Sequence, residues 1–155
     1  MEKGGRIIVL GIGNPLCRDD GTGIRVVAEM RDSGKYPEIA IIDGGAAPDL
    51  FSLMDDDVGK LIIVDALRGG DRPGEIYRLK LGAENIADEA PASLHGMGIL
   101  DSLKLMRQLG RRLPEVIIIG IEPEDVSHGL RLSPAIEALV TGLIKAVEEE
   151  LYRYH

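Results

Sequence analysis

The sequence predicts a three-layer α/β/α sandwich: one mostly parallel, twisted five-stranded sheet with helices on both faces. Three observations carry that prediction. Short runs of Ile, Val and Leu without polar alternation recur between segments of helical periodicity, as strands buried on both faces require. Glycine-containing turns and capping residues separate the two kinds of segment. Their order, β-α-β-α-β-β-α-β-α, joins parallel strands through crossover helices. At 155 residues the chain reads as a single domain, residues 1–155, large enough to bury a core without covalent staples.

Each element has its own signal. "RIIVLGI" (Arg6–Ile12) is a continuous aliphatic run and reads as a strand covered on both faces. After "GIGNPLCRDDGTG" a helix begins in which Ile24, Val27 and Met30 recur at helical spacing, with Asp19 or Asp20 placed to cap it. "EIAIID" (Glu38–Asp43) is the second strand, stopped by Gly44 and Gly45. "PDLFSLM" (Pro48–Met54) follows as a short helix with proline near its start. "KLIIVDAL" (Lys60–Leu67) is the third strand and carries Asp65 near its carboxyl end. "GEIYRLKL" (Gly74–Leu81) alternates and is short, which suits a strand nearer the sheet edge. The acidic "GAENIADEAPA" (Gly82–Ala92) reads as a loop, and His95 to Leu109 as a helix closed by a left-handed Gly110. "EVIIIGI" (Glu115–Ile121) is the fifth strand, and the last helix runs from an N-cap at Ser133, through Pro134, to Leu151.

Composition narrows the function classes. A formal net charge of −8 argues against nucleic acid or an anionic membrane surface as partner, since both need a basic face. With 45% hydrophobic but only 3% aromatic residues, the core is aliphatic. The single cysteine, Cys17, excludes an internal disulfide and any multi-cysteine zinc or iron–sulfur site. No apolar run approaches the roughly 18 residues of a membrane span, and "MEKGGR" is short and polar for a signal peptide. The expectation is a soluble, cytoplasmic, monomeric protein with no membrane partner.

Ligands of such sheets gather outside the carboxyl ends of the strands. Asp20, Asp43 with Gly44 and Gly45, and Asp65 are all predicted at that edge. A nucleotide fits poorly. The third glycine of a dinucleotide fingerprint is Leu16 here, no phosphate-loop motif occurs, and Asp19 and Asp20 would repel a pyrophosphate. A metal fits better: Asp20 and Asp65, joined by His95, form two carboxylates and an imidazole suited to nickel or zinc, all three expected exposed at the edge. Blander readings stand beside this one. Asp20 can be an N-cap, Asp65 can bond a neighbouring loop, and His95 can be an ordinary first-turn residue. His128 and His155 have no acidic company. Cys17 has Arg18 beside it, which could activate a thiol, but the adjacent acids oppose this and no nucleophile elbow is present; a small buried filler is the expectation.

"GIGNPLCRDDGTGIRVV", "DGG" after the second strand, "LIIVDAL", "SLHGMGILDSL", and later "IGIEPE" and "LSPAIEALV" together resemble the hydrogenase maturation proteases, over nearly the whole chain and in order. The resemblance implies an endopeptidase that trims the C-terminus of the large-subunit precursor of a NiFe hydrogenase after nickel insertion. It places the three metal-contacting, catalytic positions on Asp20, Asp65 and His95, with Asp where many members carry Glu at position 20. It places a substrate-recognition loop on Asp43, Gly44 and Gly45. The nickel it implies is delivered by the substrate, with zinc or cadmium able to substitute in crystals. A nickel-dependent assembly factor that binds the precursor without cutting it is the alternative.

Overall fold

The structure is a computed structural model that describes residues 5–81 and 97–152. Aliphatic runs form five strands: β1 (Arg6–Gly11), β2 (Ala40–Asp43), β3 (Val58–Ala66), β4 (Ile76–Leu81) and β5 (Glu115–Ile121). Between them lie α1 (Thr22–Ser33), α2 (Leu50–Leu53) and α3 (Met97–Gln108), and after β5 come α4 (Pro134–Glu137) and α5 (Val140–Leu151). The strands lie in the order β2-β1-β3-β5-β4. All neighbours are parallel except β4, which runs antiparallel to β5 on the outer edge.

The absence of alternation in the strands has its cause in the layers. Ile8, Leu10, Leu61, Ile63, Val116 and Ile118 point to one face, where they pack with Leu50 of α2 and Ile99, Leu103 and Met106 of α3. Val9, Ile62, Val64, Ile117 and Ile119 point to the other, against Val26, Val27 and Met30 of α1 and Leu143 and Val147 of α5. The central residues of these strands are therefore apolar whichever way they point, and full burial of one such aliphatic side chain is worth about 1.5–3 kcal/mol. No helix among the described residues is long and apolar enough to cross a membrane.

Helix termini explain most departures from the sequence reading. Gly110, at φ +79, closes α3 as predicted: its amide donates to Arg107 O and the amide of Arg111 donates to Met106 O, a paired left-handed cap. The short helix begins at Leu50 rather than Pro48, because the Asp49 side chain caps it by accepting from the Phe51 amide. The predicted final helix is broken in two. Leu139 N donates to Ile136 O, a tightened bond that bends the chain between α4 and α5. The predicted loop Gly82–Ala92 and the start of the third long helix at His95 lie outside the described residues.

Candidate metal-contacting site

At the end of β1 the chain must turn under α1, and glycines make the turn possible. A Cβ at Gly13, whose φ is +147, would lie 1.9 Å from the carbonyl oxygen of Asp20. One at Gly23 would lie 2.1 Å from Val64 O, so α1 enters pressed directly against β3. Within the loop Asn14 organises the backbone: its Oδ1 accepts from Leu16 N at 3.0 Å and its carbonyl accepts from Cys17 N at 3.0 Å. Arg18–Gly21 then forms a single 3-10 turn. Arg18 stands at φ 47, the sole non-glycine with positive φ among the described residues, and its guanidinium lies over Gly129, where a Cβ would meet Cζ at 2.8 Å.

Neither aspartate of this turn caps α1, whose N-cap is Gly21 without any side-chain bond. The reason is that both carboxylates are used elsewhere. Asp20 is half-buried and folds back, its Oδ2 accepting from Asn14 N at 3.0 Å. Asp19 is completely buried. Its Oδ1 accepts from Ser133 N at 2.7 Å, and its Oδ2 accepts from Ser133 Oγ at 2.7 Å and from the amides of Glu124 and Asp125, both at 2.9 Å. Ser133, expected as a capping side chain, spends its hydroxyl on Asp19 instead. Sequence reasoning missed this junction, since its partners lie 105 to 114 positions away.

The two predicted carboxylates emerge at neighbouring strand ends. Gly11 pairs with Val64, and Asp65 is the next residue of β3, so the turn carrying Asp20 leaves β1 at the level where Asp65 sits. This is the switch point of the sheet, where β1 has β2 on one side and β3 on the other. Asp65 differs from expectation in being fully buried rather than exposed at the edge. β3 is the central strand, with β1 and β5 on either side and packing on both faces, and its burial extends through Asp65 to Ala66. Among the described residues no three His, Cys, Asp or Glu side chains converge as a metal shell, and His95, the third predicted contact, lies outside them.

The loop after β2 is stitched to the same turn. Gly44 N donates to Gly11 O at 2.8 Å, Gly13 N donates to Gly45 O at 3.0 Å, and Asp43 Oδ1 accepts from Gly45 N at 2.9 Å. The amides of Gly44 and Gly45 are thus engaged internally. What the loop does present outward is the exposed Asp43 and the open space beside Gly45, where a Cβ would meet no heavy atom within 4 Å. Cys17 is half-buried, not buried, and forms an isolated bridge with Gly129. His128 is exposed.

A second carboxylate cluster flanks the edge beyond β5. Buried Glu122 accepts from Gly69 N at 2.8 Å, Asp71 N at 3.3 Å and Tyr77 Oη at 2.5 Å. Burial pushes its carboxyl up, but these donors outweigh it and hold the group below the ordinary glutamate value. Burial and then the carboxylates of Glu122 and Asp71 push the Tyr77 phenol up. This cluster was invisible in the sequence because nothing in "GIEPE" or "GEIYR" marks the two segments as neighbours.

Comparison with known proteins assigns the architecture. A family profile described as hydrogenase maturation protease matches residues 24–150, from α1 to the end of α5. The hydrogenase 2 maturation protease of Escherichia coli K12 is 30% identical over 152 residues, covering 92% of this chain and 88% of that protein. The solved structure of the hydrogenase maturating endopeptidase HybD from E. coli superposes with a TM-score of 0.79 at 28% identity, covering 94% of this chain and 91% of that one. The hydrogenase 2 maturation peptidase from Thaumarchaeota archaeon SCGC_AB-539-E09 superposes at 0.74 with 30% identity, covering 95% and 98%. Matched along most of its length in sequence and fold alike, the chain belongs to the hydrogenase maturation protease family.

Proposed function

We propose that this protease removes the C-terminal extension of a NiFe hydrogenase large-subunit precursor once nickel has been inserted, and that Asp20, Asp65 and His95 contact the substrate-bound nickel. The observation that carries the reading is the meeting of the Asp20 turn with the Asp65 end of β3 at the sheet's switch point. A divalent cation between the two carboxylates, one on the turn after β1 and one near the end of β3, would offset their mutual repulsion. Oxygen and imidazole donors accept nickel or zinc, yet three protein ligands leave the shell incomplete. Donors from the precursor complete it, so nickel is the feature by which a loaded precursor is told from an empty one. A cation held there is a Lewis acid, able to polarise a nearby carbonyl or lower the pKa of a bound water. Asp43 and the open side of Gly45, tied to the same turn, form the adjoining surface for the substrate chain.

The test compares apo and nickel-loaded precursor at equal concentration with chelator-stripped protease, reading precursor mass. The loaded precursor loses its tail and the apo precursor keeps it. Asp20→Ala, Asp65→Asn and His95→Ala should each remove processing while the circular dichroism of the fold persists. Full activity in His95→Ala, or equal cutting of apo precursor, would overturn the reading.

A further inference from the structure

We infer that Asp19 is the positioning residue of the site: through Ser133 and the amides of Glu124 and Asp125 it fixes the turn that carries Asp20, and so sets the grip on the metal. The inference rests on the proposal that Asp20 contacts the metal. Three observations support it. First, Asp19 is a carboxylate with no accessible surface, and buried charge is costly unless every lone pair meets a donor. Four donors meet it, at 2.7 to 2.9 Å, from three residues of a single distant segment. A carboxylate accepts all four; its amide isostere must present two N–H donors on one side, against Ser133 N or against the three donors at Oδ2.

Second, the Asp19 carboxylate supplies four of the bonds that hold the turn in register with that segment, beside three backbone bonds and the solvent-facing Arg18–Asp125 ion pair at 3.8 Å. Across the junction Asp19 N donates to Asp125 O at 3.0 Å, and the bridge adds Arg18 N to Gly129 O at 3.0 Å and Gly129 N to Leu16 O at 2.8 Å. Asp19 O, in turn, accepts from Thr22 Oγ1 at 2.6 Å, so the same residue fixes the first residue of α1. Third, the neighbouring Arg18 sits at φ 47, a conformation that side chains with a Cβ adopt only when their surroundings impose it. A turn with a residue in that region relaxes when its clamp is removed, and Asp20 is the next residue but one. The Asn14 amide that holds Asp20 Oδ2 is part of the same folded loop.

The experiment measures cadmium and zinc binding by isothermal titration to the purified, metal-free chain, with melting temperature recorded for each variant. Asp19→Asn should weaken metal binding by about 10–100-fold, the range expected when the support of a ligand is lost. Val116→Ala, in the core at the far end of the sheet, serves as a control with a comparable or larger melting shift, and should keep wild-type affinity. Asp19→Glu should not rescue, because the longer arm displaces the turn. If Asp19→Asn binds as tightly as the control, the residue is structural only and the inference falls. Should Asp19→Asn fail to fold, Ser133→Ala decides: it keeps the Ser133 amide bond and loses one donor, so a several-fold loss of affinity supports the inference and an unchanged affinity overturns it. Asp20→Ala separates this inference from the reading beneath it. Lost binding in Asp20→Ala with intact binding in Asp19→Asn defeats only the positioning role, whereas intact binding in both defeats the metal site itself.

Discussion

Glu122 leaves β5 as a carboxylate taken out of water, and the donors from Gly69, Asp71 and Tyr77 are what keep it charged there. Its depressed folded value has a definite consequence for pH. A carboxyl easier to ionise in the folded state contributes stability above its unfolded value, about 4.3, and that contribution is lost as pH falls through the lower folded value. Denaturant midpoints of the wild type should therefore drop on acidification below about pH 4.3, more steeply than those of Glu122→Gln. Equal slopes would mean that Glu122 does not anchor the 69–71 loop through its charge. Tyr36 shows the opposite sign at a different seam. Burial and its bond to Glu148 push the phenol up to about 12, so its contribution holds below about pH 10 and fades as pH rises toward the folded value.

At the level of elements, α1 meets β3 in a close backbone contact beside the site. A methyl at Gly23 would have to occupy space 2.1 Å from Val64 O and 2.6 Å from Ile12 O, both backbone atoms that cannot swing aside. Gly23→Ala should cost about 1–3 kcal/mol by overpacking and should also weaken metal binding, because α1 cannot back away without moving the turn before it. Retained affinity at reduced stability would show that helix and turn move independently. The strands were legible in the sequence because apolar runs such as "RIIVL" and "EVIIIGI" leave no other reading, and β5 occupies the predicted residues. The α3 cap at Gly110 was legible too, being local. Helix starts were less so. An aspartate before a helix is ambiguous between capping and a distant partner, and both Asp19 and Ser133 chose the partner. The placement of Asp20 and Asp65 at one sheet edge was legible from topology alone; the burial of Asp65 depends on packing from both sides of β3.

Across the whole molecule, two cores share one sheet, and β3 lies at its centre with strands on either side. Hydrogen exchange should find the amides of Ile62, Ile63 and Val64 among the slowest, opening only with global unfolding, while the edge strand β4 exchanges earlier. Faster exchange in β3 than in β4 would contradict this ordering. The antiparallel edge carries Arg78 and Lys80, ion-paired to Glu149 and Glu115, and charged side chains there discourage pairing with another chain. At the amino ends of the strands, buried Lys60 donates to Glu150 O, binding β3 to α5 at the end of the sheet away from the site.

The clasp between Asp19 and Ser133 also orders events in time. It spans 114 residues, so the acidic turn emerges from a ribosome long before its clamp exists. At about 5–20 residues per second the wait is roughly 6–23 s, during which the loop has its glycines and acids but no fixed shape. The clasp forms only when the segment from Glu124 to Ser133 has folded onto the sheet, and a chain truncated before Ser133 lacks it.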